Sequence, residues 1–138
     1  MEGRMRGRVF LFSLFIAAAP LGHAHGDCVD APCSKPTSSY GAIAYGAKST
    51  AYGTSSDQRT RQAAERGALA DCRQNGEDCQ LVASFAEGCA AVAAIESKGV
   101  YSTGNGDTEQ AAEDAALKTC ERTHGRGCEI EVWNCATP

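Results

Sequence analysis

The 138-residue chain carries 13 Lys and Arg against 17 Asp and Glu, eight cysteines and one tryptophan. That length allows one modest domain. Its basic residues are scattered among acids without the cluster that phosphate binding needs, so nucleic acid is set aside as a partner. After the first two dozen residues there is no apolar run long enough for a transmembrane segment.

The chain starts with Arg4, Arg6 and Arg8, then the apolar run Val9 to Ala19, then Pro20 and the small-residue stretch Gly22-His23-Ala24. This order of a basic, an apolar and a small-residue segment predicts a signal peptide over residues 1–24, with cleavage after Ala24 or Gly26. Export implies a periplasmic or secreted location. Loss of Arg4, Arg6, Arg8 and Glu2 leaves ten basic residues against sixteen acids, a formal charge of −6. His25 at a new N-terminus could join its amine in holding copper, but His23 and His25 are read as incidental and no cofactor is expected.

Residues 25–39 form an irregular arm with Pro32 and Pro36, and residues 40–138 form the folded domain. In that domain Ala42–Tyr45 and Ser49–Tyr52 are expected to make a hairpin around the turn Gly46 to Lys48. Polar residues Gly53 to Thr60 would lead into a helix over 61–74 that puts Ala64, Ala68 and Cys72 on one stripe. Asn75-Gly76 ends it, and Gln80–Phe85 reads as a strand.

The same pattern then returns. Gln62-Ala63-Ala64-Glu65 through Leu69 and Cys72 recurs as Gln110-Ala111-Ala112-Glu113 through Leu117 and Cys120, with Cys79 matched by Cys128. Ile43 meets Val92 and Tyr52 meets Tyr101 at an offset of 49, and the helices match at 48. The second helix is expected over 108–122, with Asp107 and Gln110 as its capping box, followed by a strand over 129–134. Two ββαβ repeats predict an α+β domain with an antiparallel sheet of about six strands and two helices on one face.

All eight cysteines follow the leader, and an exported chain favours disulfides. No Cys-x-x-Cys pair occurs and His124 stands alone, so no metal site is expected. Equivalent positions should form equivalent bonds, which pairs Cys72 with Cys79 and Cys120 with Cys128. Cys89 opens one strand and Cys135 closes another, so they pair if those strands are antiparallel neighbours. Cys28 with Cys33 is what remains.

Tyr40–Tyr45, the Ala-rich helix ending in Cys72, the strand led by Cys79, Cys89-Ala90-Ala91-Val92-Ala93 and Val132-Trp133-Asn134-Cys135 together resemble the domain-of-unknown-function family 4189 (DUF4189) over residues 40–135. The resemblance implies a small exported bacterial protein carrying this repeat, and it brings no agreed catalytic residues.

The residues leave little for catalysis. Paired cysteines are not thiolate nucleophiles, His124 reads as a loop residue, and no motif accompanies it. Strict alternation along the last strand would put Ile130 and Val132 in the core, and Glu129, Glu131 and Trp133 together on the opposite face. That face would offer an aromatic anchor inside an acidic rim. Tyr52 and Tyr101 read as packing residues used twice. The chain is thus expected to be a non-enzymatic protein-binding module with a partner that could be basic. A small envelope hydrolase using Glu129, Glu131 or His124, and a structural envelope protein, are the alternatives.

Overall fold

The computed structural model describes residues 38–137. The expected signal peptide, most of the arm, His23, His25 and the Cys28–Cys33 bond lie outside the described residues. The element order is β1 (Tyr40–Tyr45), β2 (Tyr52–Gln58), α1 (Arg61–Cys72), β3 (Gln80–Ala86), β4 (Gly88–Ile95), a 3-10 turn (Glu96–Lys98), β5 (Val100–Gly106), α2 (Glu109–His124) and β6 (Glu129–Ala136). The α+β class, the two ββαβ repeats, the six strands and the two helices are as expected.

The six strands divide into two antiparallel three-stranded sheets, ordered β2-β1-β3 and β5-β4-β6. The central strands explain why. In β1, Ala42 and Ala44 pack on Ala64, Ala68 and Cys72 of α1, while Ile43 and Tyr45 point the other way. In β4, Ala91 and Ala93 pack on Ala112, Ala116 and Cys120 of α2, while Ala90 and Val92 point away. Ile43, Tyr45, Phe85, Val92 and Val132 then meet in one cluster between the sheets. The layers run α1, first sheet, second sheet, α2. Both central strands are apolar on both faces, the mark of a strand covered on both sides. Burying each of the larger aliphatic side chains there contributes about 1.5–3 kcal/mol.

Small residues let each helix lie on its sheet. A side chain at Gly53 would run into the α1 backbone at Ala68 and Cys72, and one at Gly104 into the α2 backbone at Ala112 and Ala116. This corrects the expected ends of β2, which is not Ser49–Tyr52: residues 53–58 are polar because β2 is an edge strand under a helix, and they still pair with β1. The helix caps are also equivalent. Thr60 and Thr108 each accept a bond from the amide three residues on, Ala63 and Ala111, at 3.2 Å. The expected Asp107 cap is thus replaced by Thr108, and Gln110 donates instead to Asp114.

Among the described residues, three disulfides link Cys72–Cys79, Cys120–Cys128 and Cys89–Cys135. The first two join a helix end to the next strand in each repeat. Cys89 and Cys135 stand directly opposite each other on β4 and β6. Chain-entropy reasoning assigns about 2.4 kcal/mol to each short loop and about 4 kcal/mol to the long one. The two ends of the described chain meet at Asp57, whose carboxylate accepts from Ser39 Oγ and from the amide and hydroxyl of Thr137 at 3.0–3.1 Å. Those bonds, led by the Thr137 amide, hold its carboxyl below the usual range.

Candidate functional site

The strand β6 carries the residues expected to form the contact face, and the structure arranges them differently from strict alternation. Val132 pairs with Val92 but Ile130 pairs with the adjacent Ala93, so Glu131 is an extra residue in β6, a β-bulge. The bulge turns Ile130 toward α2 and Val132 toward the other sheet. Trp133 is opposite Ala91 and so lies on the α2 side, whereas Glu129 is opposite Ala94 and so lies on the inter-sheet side. The single shared face of Glu129, Glu131 and Trp133 is corrected accordingly. Glu131, at the bulge, borders the surroundings of both.

Trp133 is 43% exposed, and Tyr52, across the seam between the repeats, is 49% exposed. They line one groove of about 370 Å³ with Thr54 of β2, Glu113 of α2 and Glu131. Beside it lies a hollow of about 240 Å³ bordered by Ala94, Glu96, Ser97, Gly127, Glu129 and again Glu131. The Glu131 carboxyl is pushed up from its usual value by partial burial, then by the negative charges of Glu96 and Glu129 and a hydrogen bond with Glu96. Tyr45 is pushed up to about 12, first by burial and then by the charges of Glu131, Glu96 and Asp78.

Tyr52 is the residue that the repeat pattern misassigned. Its counterpart Tyr101 is half-buried edge-on against Tyr45, with ring centres 5.5 Å apart. The residue that matches Tyr45 in the second repeat is Ala94, which has no ring to offer Tyr52. That single difference between matched positions was the available signal. Glu96, Glu113 and Thr54 were also missed, because the turn, helix and edge strand that carry them come together only in the folded chain.

The remaining candidates are placed by the structure as follows. His124 is the last residue of α2, not a free loop residue, and its Nε2–H tautomer donates to the Tyr101 carbonyl at 3.2 Å. Every described cysteine is in a disulfide. Among the described residues no group of three or more His, Cys, Asp or Glu side chains is arranged to hold a metal ion, and no helix is long and apolar enough to cross a membrane.

Repeated ββαβ units, back-to-back sheets and disulfides within each unit define a cross-linked, two-repeat α+β domain. The chain belongs to the family described as Domain of unknown function (DUF4189), which matches residues 40–135. It is similar to Rv1813c from Mycobacterium tuberculosis, whose structure was determined by NMR, with 28% identity over 98% of this chain and 97% of that one, and a TM-score of 0.51. Comparison with curated proteins found no match.

Proposed function

We propose that this is an exported binding module that acts by holding another protein at the seam between its repeats, without catalysis of its own. The observation that carries the reading is the pair of exposed aromatic side chains, Tyr52 and Trp133, lining one groove with Glu113 and Glu131. Exposed aromatic residues anchor protein contacts, and a cross-linked frame lowers the ordering cost of binding. The disulfides suit the oxidising compartments beyond the inner membrane. The basic, apolar and small-residue order of residues 1–24 supports a leader.

Two experiments test it. Protein recovered from the producing cell is expected to begin at His25 or Asp27, and Met1 on an accumulated cytoplasmic form would overturn export. Partners captured by the wild-type protein are expected to lose about 1–2 kcal/mol of affinity with Trp133→Ala and with Tyr52→Ala, while both variants keep their disulfides on non-reducing gels. Undiminished capture by both removes the groove from consideration.

One observation favours a second reading, a small envelope hydrolase. A carboxyl pushed upward beside two others, as at Glu131, is the pattern of a general acid in glycoside cleavage. Turnover of peptidoglycan by the protein, abolished in Glu131→Gln, would establish it.

A further inference from the structure

The two repeats hold the same hollow at the same place, about 200 Å³ in the first and about 240 Å³ in the second, and differ in what lines it. In the first repeat it is bordered by Tyr45, Ala47, Lys48, Asp78 and Gln80, with Tyr101 reaching in from the second. Adding 49 to the first five positions gives Ala94, Glu96, Ser97, Gly127 and Glu129, all of which border the second hollow. The Tyr45 ring is replaced by a methyl group. Lys48 becomes Ser97, which removes a positive charge. Ala47 and Gln80 become Glu96 and Glu129, and Val82 becomes Glu131, so three neutral positions turn acidic around one opening. Asp78, which in the first repeat accepts from the Lys48 amide at 2.8 Å and from the Ser49 hydroxyl, becomes Gly127. Negative charge thus gathers around the second hollow, which shares Glu131 with the groove of Trp133 and Tyr52.

We propose that this acidic hollow and the adjoining aromatic groove form one docking surface for a basic segment of a partner protein, taking two Lys or Arg side chains. This rests on the binding-module reading and names the chemistry of the partner. One cation lies over the groove, its stem on Trp133 and Tyr52 and its charge toward Glu113 and Glu131. Aromatic faces attract cations, more strongly where water is partly excluded. The second cation enters the hollow between Glu96 and Glu129. Glu131 borders both spaces, which sets the two seats side by side, as suits alternate side chains of an extended segment about 7 Å apart. A cation there relieves the mutual repulsion of the three carboxylates.

Trp133 is the chain's only tryptophan, so its emission reports on this groove alone. The protein is titrated with tetra-arginine, tetraglutamate and tetraserine while Trp133 fluorescence is followed. A saturable change is expected with tetra-arginine only, weakened about tenfold in the Glu96→Gln, Glu131→Gln double variant, as for loss of partly desolvated charge partners. Glu65→Gln, which removes an equal type of charge from α1 of the other repeat, beside Ser84 of β3, is expected to weaken it less than about twofold, the size of a screened surface charge. No saturable change with tetra-arginine, or equal weakening by Glu65→Gln, overturns the proposal. Capture of a partner that needs Trp133 but is indifferent to the double variant overturns the basic segment while leaving the binding surface standing. Capture indifferent to Trp133 and Tyr52 overturns that surface itself.

Discussion

The two repeats share a backbone plan and solve its packing with different atoms. In the first, Gly67 on α1 makes room for the Ser55 side chain on β2, whereas in the second, Gly104 on β5 lets the α2 backbone approach at Ala112, Ala115 and Ala116. These are the same two positions with the glycine moved from the helix to the strand. Phe85 of the first repeat covers Gly41 between the sheets. Its counterpart Asn134 sits opposite Ala90 and reaches across to the first sheet, donating to the Ser55 carbonyl at 2.8 Å and the Ala42 carbonyl at 3.4 Å. The Cys89–Cys135 bond has no equivalent in the first repeat, where Tyr40 and Ala86 occupy those places and Arg61 stacks over the Tyr40 ring at 5.6 Å. Where packing constrains a position, the repeats trade volume between partners. At the Tyr45 and Ala94 hollows the volumes stay alike, about 200 and 240 Å³, and the second repeat differs in being acidic.

The largest expected effect breaks the comparison at its covalent difference. Replacing Cys89 and Cys135 together with alanine should cost about 4 kcal/mol in guanidinium unfolding, against about 2.4 kcal/mol for the Cys72–Cys79 pair. Removing the first repeat's non-covalent counterpart with Arg61→Ala should cost no more than about 1 kcal/mol. Equal losses for the two closures would show that they do the same work.

The glycine exchange comes next. Gly104→Ser should destabilise by about 2–3 kcal/mol, because its side chain would meet the α2 backbone. Adding Ala115→Gly copies the Ser55 and Gly67 residues but removes only a methyl group, so in a double-mutant cycle it should recover little of a loss that comes from backbone atoms. A coupling above about 1 kcal/mol would mean that α2 shifts to make room. Asn134→Ala should cost about 1–2 kcal/mol, since it removes the donor that reaches the Ser55 and Ala42 carbonyls across the sheets. Asn134→Phe, which copies the first repeat, should not restore the loss, because no glycine lies opposite to receive the ring.

Much of this was legible in advance. The Ala64, Ala68 and Cys72 stripe and its copy can be read from i, i+4 spacing alone, and the short disulfides follow from two cysteines at equivalent places in two copies. The bulge at Glu131 could not be read, since an extra residue in one strand has meaning only against its partner β4. Alternation within β6 therefore put Glu129 and Trp133 on one face when they lie on two.

The smallest effect tests the acidic hollow. The folded-state value of Glu131 is raised above the ordinary 4.5. Its favourable contribution is thus fully present below that value and is lost as pH rises through the folded one. Glu131→Gln should accordingly be more stable than the native protein at pH 7, by less than about 1 kcal/mol because the site is largely open to solvent. The gain should vanish below about pH 4. Thermal melts across that range measure it, and a gain independent of pH would mean that charge is not its cause.

By itself the sequence determined that the protein is one ββαβ unit written twice, which helix faces are buried, and which cysteines lie near each other along the chain. Those features depend on short-range periodicity and on repetition, both contained in a local window. Only the tertiary structure decided that the sheets stack back to back, that Tyr101 is packed by Tyr45 while Tyr52 is left exposed, and that Glu131 borders both the groove of Glu113 and Trp133 and the hollow of Glu96. Each of these depends on which side chain occupies the facing element, and that element lies either in the other repeat, as for Tyr45 and Tyr101, or elsewhere in the same repeat, as for Glu96, Glu113 and Glu131.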